Sequence, residues 1–497
     1  MNKKMNYLFI TSDQQRWDTI HANNPLIKTP NIDRLCEKGI SFNRGYTPNP
    51  VCTPSRISML TGHYPSKHGC YTIGTGLPQD YPTIPNIMSE NGYFTSLIGK
   101  AHFQPCLFSE SFESEPNIFD REFFKEWTGP YYGFDYVKLV IGHSVEKHSA
   151  GMHYGVWLKE NGIDITKYFG NNQYTDFGTW ELPQEYSGSK WTADETIGAI
   201  DKALEKDENF FIWSSFQDPH NPCFVPEPWA SMYKEEDMPV YNYIEGEMDN
   251  KPLFYKEMVE KGSFRDTLEI PEKNWHCVRN LPFMNEAEKR RIMALYYGMV
   301  SQMDHYIGKI LDYLEEKNLM DNTIIIFTSD HGDYMGNHGL WWKGLPAYED
   351  AQRVPFVVAH PQCKTPGTKS DALQSLVDIG NTFLAVSDIE LPVGLQGVNQ
   401  EASWIDSNVS TRDWAMVEFR PTENQYMQKT FITNEYKLVV YHNRKYGELY
   451  NLISDPQQYN NLWDNPEYRD IRDELMQRLI SAEMEKEGIL RERVSMA

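Results

Sequence analysis

Short apolar runs that end in polar residues recur along the chain, at Tyr7–Thr11, Phe94–Ile98, Phe210–Ser215 and Thr323–Ser329, with helix-like stretches leading into them. Runs of that length and composition read as buried strands. The clearest helix starts near Asn285, which with Glu288 three residues on makes a capped beginning. It carries Ile292, Leu295, Met299, Met303, Ile307, Leu311 and Leu314 at three-to-four spacing and delivers the chain into Thr323–Ser329. A second helix, Ala193–Glu205 with Ile197, Ile200 and Leu204 turned inward, leads in the same way into Phe210–Ser215. Repeated units of this kind predict an α/β fold, a large and mostly parallel central sheet flanked by helices.

Between Gln104 and Lys190 the periodicity fades and aromatic residues crowd in. That stretch, about 104–190, and a second at about 221–283 read as insertions over one end of the sheet. From Asn399 the pattern becomes Trp414–Phe419, Gln428–Thr433, Tyr436–Tyr441 and Glu448–Tyr450, joined by turn residues such as Asn434-Glu435 and followed by a helix with Leu475 and Leu479. The division this predicts is a large domain over 1–398 and a smaller subdomain over 399–497, an antiparallel sheet with one packed helix. The charged tail after Glu485 is expected to fray.

Composition narrows the function. Of 497 residues 40% are hydrophobic and 13% aromatic, enough for a large core. Lys and Arg number 47 against 70 Asp and Glu, a formal charge of −23 with no basic cluster, which argues against nucleic-acid binding. An anionic substrate must then be small, or met by a focused basic pocket. No apolar run approaches the ~20 residues of a membrane span, and Tyr7–Ile10 is too short for a signal-peptide core. Seven cysteines without a CxxC pair argue against a disulfide framework and a zinc-thiolate site, and predict a cytoplasmic location.

In an open parallel sheet, ligands bind beyond the carboxyl ends of the strands. Those positions hold Asp13 and Gln14, Lys100 and His102, His220, and Asp330 and His331. Two carboxylates, an amide oxygen and an imidazole suit a hard divalent cation such as Ca²⁺, Mg²⁺ or Mn²⁺. Helix capping accounts for Asp13 or Asp330 singly, and less well for the whole set. The segment from Pro50 to Gly62 reads as a turn feeding a helix with Pro54 in its first turn, presenting Cys52 and Arg56 at a helix N-terminus, a natural anion site. Cys36, Cys70, Cys106, Cys223, Cys277 and Cys363 read as small buried hydrophobes. His143, His148 and His153, five residues apart, fit a mobile or substrate-facing loop better than a metal site. His63 and His68 fit support of the loop after Gly62 as well as substrate contact. The aromatics between Trp127 and Trp191 read first as packing of the insertion and second as a sugar platform.

Cys52-Thr53-Pro54-Ser55-Arg56, with Thr61-Gly62 closing a short helix, resembles the sulfatase signature. Asp13-Gln14, Gly99-Lys100-x-His102, Asp218-Pro219-His220, Ser329-Asp330-His331-Gly332 and Lys343 match further blocks in order, and the matches run on to Leu449-Tyr450-Asn451-Leu452 and Asp455-Pro456. The resemblance is to the formylglycine-dependent type I sulfatases of the alkaline phosphatase superfamily. It implies hydrolysis of sulfate monoesters, and the lack of a signal-peptide core points to a small sulfated carbohydrate as the substrate. The resemblance also implies that a formylglycine-generating or anaerobic sulfatase-maturing enzyme oxidises Cys52 to formylglycine, whose gem-diol is the nucleophile. Asp13, Gln14, Asp330 and His331, with residue 52, would hold one divalent metal, usually Ca²⁺ in this family. Arg56, Lys100 and Lys343 would face the sulfate oxygens, His220 with Lys343 would be the general acid, and His102 would help expel sulfate. His442 or Arg444 would reach the pocket rim from the C-terminal subdomain, and association into a homo-oligomer is left open.

Departures from the pattern matter. Many sulfatases carry Asp-Asp where this chain has Asp13-Gln14, and some carry Asn at the position of His331. Gln and His there also occur among phosphonate monoester hydrolases and choline-sulfatase-like enzymes, so phosphonate monoester or phosphodiester hydrolysis is the runner-up. The Lys100 and His102 pair, and Thr53 rather than Gly after Cys52, favour sulfate. A non-catalytic carbohydrate-binding protein on this fold is a third reading, opposed by the retention of every expected catalytic residue.

Overall fold

The four apolar runs form the middle of one sheet. The computed structural model describes residues 4–170, 176–241, 243–261, 284–421 and 426–487; Cys277 and the last ten residues of the charged tail lie outside them. Its strands are β1 (Asn6–Ser12), β2 (Ile40–Tyr46), β3 (Tyr93–Lys100), β4 (Tyr136–Val140), β5 (Phe177–Thr179), β6 (Asn209–Ser215), β7 (Cys223–Val225), β8 (Thr323–Ser329), β9 (Arg353–Ala359), β10 (Thr368–Ser370), β11 (Gln374–Ser375), β12 (Ala415–Phe419), β13 (Gln428–Ile432), β14 (Tyr436–Tyr441) and β15 (Gly447–Asn451). The central sheet has the order β10-β2-β9-β8-β1-β6-β3-β4, with β11 beside β2. β8, β1, β6, β3 and β4 run parallel, and β9 runs antiparallel between β2 and β8.

Register sets the ends level, and that builds the site. Ser12 pairs with Ser329, Thr11 and Gly99 both pair with Ser215, and Lys100 pairs with Val140. Every residue of β1, β3 and β8 is buried, as a strand covered on both faces requires. Alternate side chains divide between two cores. Tyr7, Phe9, Phe211, Trp213, Ile324 and Ile326 pack with Ile57, Leu60, Met88 and Phe383 on one face. Leu8, Ile10, Phe210, Ile212, Ile325 and Phe327 pack with Ile200, Met303, Ile307 and Leu311 on the other.

The long helix is Glu286–Glu316, opened by the Asn285–Glu288 capping box. The helix before β6 is Gly188–Glu205, capped by Ser187. Its inward face corrects the reading from spacing: Leu204 is 40% exposed and Ile197 half-buried, while Ala193, Thr196, Ala199, Ile200 and Ala203 are buried. Small residues bring this helix close to the sheet, where Thr196 Oγ1 lies 2.7 Å from Ser214 Oγ.

The segment 104–190 is more than a cover. It contributes β4, which extends the sheet beside β3, and the helix Met152–Glu160. Its aromatics pack: Tyr131, Tyr132, Tyr154, Trp180 and Trp191 are buried, with Trp127 against Phe112 and Trp180 against Phe169. This favours packing of the insertion over a sugar platform.

Strands β12 to β15 form an antiparallel sheet in sequence order, with the helix Arg469–Glu487 laying Leu475 and Leu479 against Met416, Phe431, Leu438 and Leu449. Glu418 on β12 ties this sheet to both sides of the helix Cys52–Thr61. Its backbone bonds Pro48 and the Asn49 side chain, and its carboxylate accepts from Ser66 and from Lys429 and Lys486. Burial alone would raise its pKa, yet Lys486 and Lys429 hold it down at about 2.

Two outcomes follow from this packing. Gly99 has φ +102, and a Cβ there would lie 1.9 Å from the Ser215 carbonyl oxygen, so Gly99→Ala is expected to cost at least about 2 kcal/mol in denaturant unfolding. For Glu418, a carboxylate pKa depressed in the fold contributes stability above its unfolded value, lost as pH falls from about 4.5 toward 2. Glu418→Gln should therefore cost about 3 kcal/mol at pH 7. The gap to the wild type should close in unfolding curves below pH 4.

Candidate active site

The level strand ends bring two carboxylates together. Past the paired serines, Asp13 N–H donates to the Asp218 carbonyl at 3.2 Å and Asp330 N–H to the Ser12 carbonyl at 3.3 Å. Asp330 Oδ1 accepts the backbone N–H of Gln14 and of His331, at 3.0 and 2.9 Å, and its Oδ2 accepts Arg56 Nε at 2.8 Å. Asp13 Oδ2 accepts the Lys100 ammonium. Both carboxylates are fully buried. Burial would raise the Asp13 pKa, but Lys100 and the other cations around it hold it well below the usual carboxylate range. Burial and the charge of Asp13 push Asp330 up.

The helix Cys52–Thr61 is buried at every residue and ends on Gly62 in the left-handed region, φ +67. It starts at Cys52, whose Sγ lies 3.0 Å from Lys343 Nζ, 3.1 Å from His331 Nε2 and 3.7 Å from Asp13 Oδ1. Burial and Asp13 would raise this thiol, yet Lys100, Lys343 and His331 bring it well below its ordinary value. Arg56, one turn on, is spent on the protein: Nε on Asp330, Nη1 on the Lys100 carbonyl and Ser215 Oγ at 2.9 and 2.7 Å, and Nη2 3.6 Å from Asp13.

These residues fit a divalent cation. Ligand atoms of Asp13, Cys52, Asp330 and His331 all lie within 4.8 Å of one another, and all four residues are buried. His331 Nδ1 faces the Gly332 carbonyl at 2.9 Å, which turns Nε2 into the cluster. Gln14 Oε1 is buried without a hydrogen-bond partner, while its Nε2 donates to Asp333 Oδ2 at 2.5 Å. Oxygen donors with one imidazole are the set a hard cation takes.

Around this centre stand five more basic side chains, Lys100, Lys343, His102, His143 and His220. Lys100 Nζ lies 2.7 Å from His143 Nε2, and Lys343 Nζ lies 2.6 Å from His220 Nε2. The His143 and His220 rings stack, 3.5 Å between centroids and 8° apart. His220 Nδ1 faces the Asn221 carbonyl at 2.5 Å, so Nδ1 carries the hydrogen and Nε2 accepts from Lys343. Burial, His143 and Lys343 lower the His220 pKa to about 3, and burial and Lys100 lower that of His102 to about 4. His102 is buried at φ +59, with neither ring nitrogen hydrogen-bonded among the described residues. Arg56, Lys100 and Lys343 concentrate three cations around Asp13 and Asp330 within a chain of charge −23.

Two residues of this site escaped the sequence reading. His143 follows β4, and its Nδ1 and backbone N–H both meet Glu146 Oε2, at 3.1 and 2.8 Å. Of the two alternatives for its loop, mobile or substrate-facing, these bonds oppose the first and leave the second. The loop reading fails for His153, buried in a helix between Leu139 N and the Trp127 carbonyl. The alternation Tyr136-Val137-Lys138-Leu139-Val140 was the signal that marks β4 as another strand end to inspect. The second is Asp333, whose only sequence signal is its place three residues after Asp330. His68 supports its loop, bonding Ser58 Oγ at 3.0 Å and the Cys70 N–H at 3.1 Å. His442 and Arg444 are exposed beyond β14.

Comparison with known proteins agrees with this geometry. The family model "Sulfatase" matches residues 5–389, and the model "N-sulphoglucosamine sulphohydrolase, C-terminal" matches 336–485. An arylsulfatase of Clostridium perfringens is 30% identical over 493 residues, covering 96% of this chain and 94% of the relative. An N-acetylglucosamine-6-O-sulfatase of Bacteroides thetaiotaomicron is 26% identical, covering 96% of this chain and 86% of the relative. A phosphonate monoester hydrolase of Agrobacterium radiobacter shares the fold, with a TM-score of 0.77 at 22% identity, over 97% of this chain and 96% of the other. With carboxylates, cations and a helix-borne cysteine meeting at the strand ends and a family match over most of its length, the chain belongs to the sulfatase family of the alkaline phosphatase superfamily and is a sulfuric ester hydrolase.

Proposed function

We propose that the chain hydrolyses a sulfate monoester of a small carbohydrate, with residue 52 as nucleophile after Cys52 is oxidised to formylglycine by a formylglycine-generating or anaerobic sulfatase-maturing enzyme. One observation carries this reading: the Cys52 side chain is where Lys343, His331 and Asp13 converge, at the start of a buried helix. The relative named as an N-acetylglucosamine-6-O-sulfatase supports a saccharide as the leaving alcohol. A hydrated aldehyde carries two hydroxyls on one carbon, so one can attack sulfur and deprotonation of the other can expel sulfate, a route closed to a thiol. A divalent cation, Ca²⁺ with Mg²⁺ or Mn²⁺ as alternatives, would be held by Asp13, Gln14, Asp330 and His331 with residue 52 and would supply Lewis-acid polarisation.

The chain's own residues divide the remaining work. Lys100 and Lys343 present ammonium groups to the sulfate oxygens, where negative charge must be met. Lys343 holds the proton for the leaving alkoxide, because His220 Nε2 accepts its hydrogen bond. His220 aims that ammonium, and the unpartnered ring of His102 is available to a departing sulfate. Arg56, committed to Asp330, Asp13 and Ser215, fixes the carboxylates rather than reaching for substrate. The six described cysteines are free thiols, which supports a reducing, cytoplasmic setting.

Gln14 beside His331, with the fold shared by a phosphonate monoester hydrolase, favours phosphonate or phosphodiester hydrolysis as the second reading. Comparing kcat/KM of matured enzyme on a sulfated N-acetylhexosamine, an aryl sulfate, a phosphonate monoester and a phosphodiester separates the two. The sulfate esters are expected to be turned over fastest and Cys52→Ala to abolish turnover with unchanged thermal unfolding; faster phosphonate turnover would replace the first reading by the second. Lys343→Ala should cost ~10²–10⁴-fold in kcat on a sugar sulfate and less on an aryl sulfate with an acidic phenol, whose phenolate leaves without a proton so that only the contact with the sulfate oxygens is lost. Equal losses on both would remove Lys343 as proton donor.

A further inference from the structure

Gln14 follows Asp13 directly, and its amide has two chemically opposite ends. Only the oxygen end can serve a cation, and nothing in the residue itself decides which end points inward. In this structure the choice is made by Asp333. Its carboxylate is fully buried and takes four N–H donors: Oδ1 accepts the backbone N–H of Met335 at 2.8 Å and of Trp342 at 3.1 Å, and Oδ2 accepts Gln14 Nε2 at 2.5 Å and Asn221 Nδ2 at 3.3 Å. Asn221 is itself held by the Cys223 thiol on its Oδ1 at 3.0 Å. A group that accepts on both oxygens leaves no place for an amide oxygen, so Gln14 must turn its nitrogen to Asp333. That leaves Gln14 Oε1 buried and unpartnered, on the residue that follows Asp13 and whose backbone N–H donates to Asp330 Oδ1 at 3.0 Å.

We infer that Asp333 is a positioning residue that fixes the polarity of the Gln14 amide, presenting Oε1 to the cation. The inference rests on the reading of Asp13, Gln14, Asp330 and His331 as cation ligands. It has a sharp consequence for an isosteric change. In Asp333→Asn, the two backbone N–H groups of Met335 and Trp342 cannot turn, so the asparagine keeps its oxygen toward them and points its NH₂ at Gln14. The Gln14 amide then has to turn over, bringing its own NH₂ into the cluster, where it repels a cation. Replacing Gln14 by Glu in that background supplies an oxygen on both sides and restores the arrangement with the carboxylate moved from residue 333 to residue 14.

The test is titration of CaCl₂ into metal-stripped full-length protein, read by calorimetry and by the calcium-dependent rise in melting temperature. Wild type, Asp333→Asn and the double variant Asp333→Asn with Gln14→Glu are compared. Asp333→Asn is expected to weaken calcium binding at least tenfold, and the double variant to return to within about threefold of wild type. If Asp333→Asn binds calcium like wild type, or the double variant binds no better than the single one, Asp333 does not set the Gln14 amide. A wild type that takes up no calcium overturns the ligand reading itself, and this inference with it. Should Asp333→Asn alone give no cooperative melting, the double variant decides: folded and calcium-responsive supports the inference, and any other result overturns it.

Discussion

The interaction on which the rest depends is the buried contact of the Asp13 carboxylate with the Lys100 ammonium. Both groups are fully buried, and a lone charge in such a place costs several kcal/mol, so each needs the other as its principal partner. Asp13 is presented by β1 and Lys100 by β3, two strands that do not touch each other but both flank β6. The pair therefore fixes the spacing of the strand ends across β6, and Arg56 bonds Ser215 at the end of β6 itself. Asp330, on the other side of β1, is drawn into the same network through the Arg56 guanidinium. Removing any one of these charges leaves its partners buried and uncompensated, a loss of about 3–5 kcal/mol for a broken buried pair.

That constraint leaves some polar atoms of the site fixed by the protein and others open in hydrogen bonding. The Asp13 and Asp330 carboxylates are engaged by the protein, and Arg56 is engaged through Nε and Nη1, whereas Gln14 Oε1 and both nitrogens of His102 are unpartnered among the described residues. The stacked His143 and His220 rings lie between, each against a lysine, so the two ammonium groups are steered by imidazoles that are themselves held, one by Glu146 and one by the Asn221 carbonyl. The C-terminal sheet completes the frame by gripping Pro48, Asn49 and Ser66 on either side of the cysteine-bearing helix.

Much of this was legible because burial on both faces leaves strands such as β1, β6 and β8 as uninterrupted apolar runs, and because site residues follow such strands directly. The central sheet, the capped helix Glu286–Glu316 and the convergence of Asp13, Gln14, Lys100, His102, His220, Asp330 and His331 follow from that alone. β4 was hidden because an edge strand beside a large aromatic insertion is short and only half apolar, and with it His143 was lost. Asp333 was hidden for a different reason: its role lies in a hydrogen bond to a side chain 319 positions away, a relation that local pattern does not encode. The inward face of Gly188–Glu205 was misread because close helix–sheet packing selected alanines and threonines over the larger Leu204.

The central claim is that residue 52 acts as an aldehyde rather than a thiol, and one measurement reaches it most directly. Protein produced in a host with sulfatase-maturing activity is digested, and the peptide containing residue 52 is weighed alongside the sulfate released from a sulfated sugar by the same preparation. The account predicts a peptide with the mass of an aldehyde side chain at residue 52 and sulfate release in proportion to its fraction. Full sulfate release from protein whose Cys52 is unmodified would contradict it.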